Sequence, residues 1–327
     1  MPASNVNYPL PLTRLNPFYP GQFGVPGAWT ETGLRLHATG AIFYVDPNNT
    51  DANDNRDGTD PTAPLATIQG AISKCQAYRG DVIAVMANGA WTYADLTSGY
   101  NTQITESVVL SVPGVRLVGV FPSGCPGVVW SAAATGAFAL TVTAIDCLVE
   151  GFAFVGAAGG SNGIYCEWDG ATLFGENLTV RNCYFHDDLD TAIQLEYAWY
   201  CRIIDNWFEE CDTYGVYVDA AGSGIAYCEI AWNWFHDVAA ALSLRGAENC
   251  DIHHNHILNS NAQGAGVATD EGIDTTGGGD NLVHQNVFSC LLPVPANGDY
   301  DDLNTAAATD AWIQNLCMNG PSVTNPT

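Results

Sequence analysis

The chain has 327 residues, room for one large domain or two ordinary ones, and its 47% hydrophobic content excludes wholesale disorder. Thirty-five acids stand against nine bases, a net charge of −26, which excludes DNA or RNA as a partner and works against anionic membranes and against acidic polysaccharides not bridged by divalent cations. The 34 glycines and the low charged fraction of 13% point to strands and turns rather than helices.

Residues 1–40 read as an extended arm. Pro2, Pro9, Pro11, Pro17, Pro20 and Pro26 forbid helix and central strand there. The rings of Tyr8, Phe18, Tyr19, Phe23 and Trp29 need a surface to bury against, on their own domain or on a neighbouring subunit. The N-terminus has neither the basic region nor the apolar core of a secretory signal. No apolar run approaches the length of a membrane helix, so no membrane insertion is expected.

Residues 41–90 read as an N-terminal cap. The stretch 41–45 is a strand, followed by a loop carrying Asp46, Asp51, Asp54, Asp57 and Asp60. Ile68, Ala71, Ile72 and Cys75 then mark one face of a short amphipathic helix, and 81–86 is a buried strand. The loop partly matches a calcium-binding pattern but has Pro64 where the closing acid belongs. No cofactor is therefore expected, with calcium at this loop as the exception to test.

Residues 91–290 read as rungs, because an internal repeat runs through 145–290. One copy is Cys201-Arg-Ile-Ile-Asp-Asn206-Trp-Phe208; the next are Cys228–Phe235, Cys250–Ile257 and Asn281–Phe288. Aligning on asparagine puts Asn182, Asn206, Asn233, Asn255 and Asn286 in one column, predicting a structural ladder of amides at the rung corners. Ile203, Ile230, Ile252 and Val283 form one inward column, and Phe208, Phe235, Ile257 and Phe288 another. The residue after each asparagine should face outward, giving Cys183, Trp207, Trp234, His256 and Val287. With Trp232 nearby, Trp207, Trp234 and His256 make a candidate platform for glycan stacking or a subunit interface. Residues 291–327 read as a C-terminal cap and tail, with a short helix between 301 and 317.

The rungs and the entry segment, Tyr44-Val-Asp through Pro64-Leu-Ala-Thr-Ile-Gln-Gly-Ala-Ile to Gly80-Asp-Val-Ile, resemble right-handed parallel β-helix proteins of the pectin-lyase-like superfamily. The resemblance implies an all-β, single-stranded solenoid with a helical cap. It leaves function open among polysaccharide lyases, glycoside hydrolases and the tailspikes and other virion proteins of phages.

A pectate-lyase-like site is not legible around Arg181, Arg202 or Arg245, and of the polygalacturonase-like motifs only Asp187-Asp188 occurs. The candidate catalytic acids are Asp270, Glu271 and Asp274, with Asp187 and Asp190 on a neighbouring face, since glycoside hydrolysis needs paired carboxylates. The histidines and the eleven cysteines lack closed metal-site spacing, so no metal site is expected, and the thiols read as free in a reducing cytosol. These features favour a non-enzymatic virion decoration or spike, made in a host cytoplasm. It would form a homo-oligomer such as a trimer, attach by its arm to other virion proteins and contact cell-surface glycan. The alternatives are an extracellular polysaccharide-cleaving lyase or hydrolase, and a non-catalytic carbohydrate-binding protein.

Overall fold

The computed structural model describes residues 40–86, 104–120, 127–156, 160–167, 175–186, 189–218, 224–258, 273–274, 278–289, 300–301 and 310–317. The arm residues Tyr8, Phe18, Tyr19, Phe23 and Trp29 lie outside them, as do Asp187, Asp270 and Glu271.

The described strands form three parallel sheets, and the chain visits them in turn. Sheet one has ten strands, from Ile42–Val45 to Ala311–Ile313; sheet two has nine, from Ile104–Thr105 to Leu316–Cys317; sheet three has eight, from Val108–Leu110 to Tyr300–Asp301. The chain is a right-handed parallel β-helix. Each rung buries only an inward column, so stacking is what completes the core. In sheet one that column runs Leu117, Val149, Val180, Ile203, Ile230, Ile252, Val283. All seven side chains are fully buried.

Sheet two supplies the bulk of the core. Phe154, Phe185, Phe208 and Phe235 stack inside the helix, with ring centroids 5.1, 4.8 and 4.5 Å apart. Sheet three makes room for them with small residues: Gly163, Ala192, Gly215 and Ala241 share one inward column. A Cβ on Gly215 would lie 2.6 Å from the Ala241 carbonyl oxygen and 2.7 Å from the Phe235 ring. Large residues on one wall thus require small ones on the next.

The corner between sheets one and two is a two-residue turn. Its first residue is left-handed: Asn182, Asp205, Trp232, His254, Gln285 and Gln314 all have positive φ. Its second residue is the buried amide ladder. Asn233 shows the pattern: its Nδ2 donates to Ile203 O (2.8 Å) and to Asn255 Oδ1 (3.0 Å). Its Oδ1 accepts from the backbone N–H and the Nδ2 of Asn206, at 3.0 and 3.1 Å. Both ends of the amide are satisfied, as burial demands. Asn206, Asn233, Asn255, Asn286 and Asn315 make up this ladder.

Two sequence expectations need correction here. Asn182 is not in the ladder: it occupies the left-handed position, donates to Glu150, and leaves Cys183 to pair its backbone N–H with Asn206. Cys183 is consequently buried rather than outward, and Tyr184 takes the outward place beside Trp207. The expected helix in 301–317 is also absent from its described part, since Ala311–Ile313 and Leu316–Cys317 are strands and Asn315 extends the ladder.

The entry helix spans Ile68–Ile72 and buries Ile68, Ala71 and Ile72. Asp54 of the acidic loop accepts from Ala66 N, Thr67 N and Thr67 Oγ1 at 2.7–3.0 Å, fastening the loop to the start of this helix. Among the described residues no helix is long and apolar enough to cross a membrane, and no group of three His, Cys, Asp or Glu is placed to hold a metal ion. Cys75, Cys147, Cys166, Cys183, Cys201, Cys211, Cys228 and Cys250 are free; burial pushes Cys147 and Cys183 up to about 12.

Candidate active site on the outer face of sheet two

The outer face of sheet two is two columns wide because side chains alternate along each strand. The first column is Tyr184, Trp207, Trp234, His256, Val287; the second is His186, Glu209, His236, Leu258. In the first, Trp207 stacks on Trp234 and Trp234 on His256, each with centroids 5.2 Å apart and planes within 18°. This is a continuous aromatic strip, half-buried at the tryptophans and exposed at His256.

Glu209 sits at the centre of the second column, two residues beyond Trp207 on one strand and so about 6.6 Å from it along the backbone. The Tyr184 hydroxyl donates to Glu209 Oε2 at 2.6 Å. His186 Nε2 lies 3.9 Å from Oε2, and His236 Nδ1 lies 3.6 Å from Oε1. The same His236 nitrogen is 3.6 Å from Asp237 Oδ2. Glu209 and Asp237 therefore flank one imidazole, a pair of carboxylates with proton carriers between and beside them. Such a set can protonate a leaving oxygen and deprotonate a water.

Sheet one carries a second charged face. Arg202 pairs with Glu229 at 2.7 Å, His253 lies 3.5 Å from Glu229, and His284 lies 3.0 Å from Asp251. His253 and His284 stack in register, 5.0 Å apart. Each acid here has a basic side chain near it, and the stacked Trp232 and His254 rings lie at the edge of His253. This face is an ion ladder along the rungs, and its exposed pairs contribute little individually.

The sequence-derived candidates fall as follows. Trp207, Trp234 and His256 form the strip, whereas Trp232 sits apart on the left-handed corner and stacks on His254 at 4.0 Å. Asp190 lies in the sheet-three strand Leu189–Leu195. Asp274 lies in Ile273–Asp274, paired with Ser243 and Asp301. With Asp187, Asp270 and Glu271 outside the described residues, the acid pair expected there has no geometry. Sequence reasoning missed Glu209, Tyr184, His186, His236 and Asp237. The signal lay in the alternation: if Trp207 and Trp234 face outward, the residues two further on must do so too.

Residues 129–288 match the family described as right-handed β-helix region. No curated protein matches the chain by sequence. Among solved structures, an alginate lyase from Paenibacillus sp. str. FPU-7 aligns with a TM-score of 0.54 at 14% identity, covering 78% of this chain and 93% of that one. A rhamnogalacturonan lyase aligns at 0.48 and 14% identity, covering 85% and 74%. A GH136 lacto-N-biosidase from Eubacterium ramulus aligns at 0.35 and 12% identity, covering 89% and 69%. The likeness is one of fold, the right-handed parallel β-helix. The structure that aligns above 0.5 is a lyase, which runs against the expectation of a non-enzymatic virion decoration or spike and corrects it; likeness to a tailspike is not shown.

Proposed function

We propose that this right-handed parallel β-helix cleaves a polysaccharide on the outer face of sheet two. The observation that carries the reading is Glu209, held by Tyr184 and flanked by His186 and His236, two residues along the strand from Trp207, which stacks on Trp234. A sugar lying on the tryptophans brings its glycosidic bond over Glu209 and His236. Hydrolysis suits the site better than elimination for two reasons. Glu209 and Asp237 supply paired carboxylates. Elimination needs an acidic sugar, which a chain of charge −26 repels.

The test is incubation with neutral glycans (xylan, mixed-linkage glucan, galactan) and with polyuronates (alginate, polygalacturonate). Released reducing ends and unsaturated uronyl products are both followed. New reducing ends from a neutral glycan without unsaturation are expected. Glu209→Gln should lower the rate at least about a hundredfold, the scale of losing a general acid–base, with an unchanged melting temperature. Full activity in that variant would remove Glu209 from the chemistry, and unsaturated products would replace hydrolysis with elimination.

A further inference from the structure

The corner between sheets three and one carries a column of left-handed residues, and most of its members are the types that accept this backbone cheaply. They are Gly114, Asp146, Asn177, Asn249 and Asp280. Tyr78, Tyr200 and Tyr227 stand in the same column, with φ of 58°, 58° and 57°, and of these Tyr200 and Tyr227 occupy adjacent rungs. A bulky side chain there is strained. It is not repaid by burial, because Tyr200 is 50% exposed and Tyr227 51% exposed. The two rings instead stack on each other, centroids 5.2 Å apart and planes within 13°. Unfavourable backbone and exposed apolar area at two consecutive rungs mark a surface kept for something outside the fold.

We infer that Tyr200 and Tyr227 form a second carbohydrate-binding ledge, distinct from the Glu209 face and non-catalytic. The inference rests on the reading of the protein as one that acts on polysaccharides. A ring pair with its hydroxyls at the rim offers an apolar surface for the C–H face of a pyranose. The exposed Glu248 and Asn249 beside it offer acceptors and donors for the sugar hydroxyls. Two side chains are far too small a patch for a stable protein partner, which needs about 800 Å² per side. The acidity of the chain excludes nucleobases on a phosphate backbone. The ledge and the Glu209 face lie on different sides of the three-sheet prism, so one long chain can be held at the ledge while another segment of it, or a neighbouring chain, is cut.

The column supplies its own control substitution, because asparagine stands at the same place in the flanking rungs. The variant Tyr200→Asn/Tyr227→Asn keeps a residue suited to the left-handed backbone. Affinity electrophoresis in gels containing xylan, mixed-linkage glucan or galactan reads binding without activity. Retardation of the wild-type chain in one of these gels is expected. The double variant should bind about tenfold more weakly or worse, at an unchanged or higher melting temperature. If the wild type cleaves no glycan yet its retardation depends on the tyrosines, the ledge stands and the cleavage reading falls. Equal retardation of the double variant, no retardation of the wild type in any gel, or a marked loss of stability in the double variant would each overturn the ledge.

Discussion

At Asn233 every polar atom of the side chain is used, and its partners belong to other rungs. Substitution by alanine strands the Ile203 carbonyl and the donors of Asn206, a cost of about 1–3 kcal/mol. Asn233→Ala should therefore lower the melting temperature, measured by thermal denaturation, without selective loss of glycan binding. Histidines set a second residue-scale expectation. Burial is the largest cause holding His253 and His254 below the ordinary imidazole value; for His253 the Asp251 and Glu229 carboxylates pull upward and His284 downward. The folded rings thus bind fewer protons than the unfolded chain. Their contribution to stability is present above about pH 6.5 and is lost as pH falls through their folded values. Melting temperatures measured from about pH 7.5 down to 5 should fall, and His253→Gln should make that fall shallower. An equally steep fall in the variant would place the titration elsewhere.

Among the elements, the pairing of sheet two with sheet three is the one with least tolerance. The phenylalanine stack fills the interior only because Gly163 and Gly215 leave it room. The obstacle at Gly215 includes the Ala241 backbone oxygen, which no rotamer change can move. Gly215→Val should cost about 1–3 kcal/mol or more by overpacking, seen as a lower denaturation midpoint. An unchanged midpoint would show that sheet three can shift outward at this rung. The cysteines Cys201, Cys228 and Cys250 fill an equivalent corner column between sheets three and one, buried and free. Asn281 then takes over that column, accepting from Cys250 N at 2.9 Å and bonding to Asp310. The same corner position is thus filled by thiols or by amides according to rung.

For the whole molecule, the solenoid separates stability from chemistry. Inward columns and corner ladders hold the rungs together, which leaves each outer face free to vary. Three outer surfaces carry distinct content: the aromatic strip with Glu209, the ion ladder of Arg202, Glu229, Asp251, His253 and His284, and the Tyr200–Tyr227 ledge. The net charge of −26 acts over all of them. It repels polyanions, which is why neutral and uronate substrates divide the outcomes of the test of the proposed cleavage.

The fold was legible in the amino-acid sequence because a solenoid writes its tertiary contacts as a period: residues that stack in space recur along the chain. Ile203, Ile230 and Ile252 declare a common column before any coordinate is known, and so do Trp207, Trp234 and His256. Register was less legible. Asn182 matches the ladder residues in type, yet the turn takes two residues, and only the backbone conformation tells its left-handed first place from its amide second place. Asn315 was hidden by reading Asp301 to Cys317 as a helix, since one rung without neighbours in sequence carries too little pattern. The site was the least legible of all. Glu209 meets Tyr184, His186 and His236 across three rungs, and Asp237 turns back toward it around a corner. Period says which residues share a face, but distances between side chains on that face depend on rotamers and corner geometry, which only the tertiary structure decides.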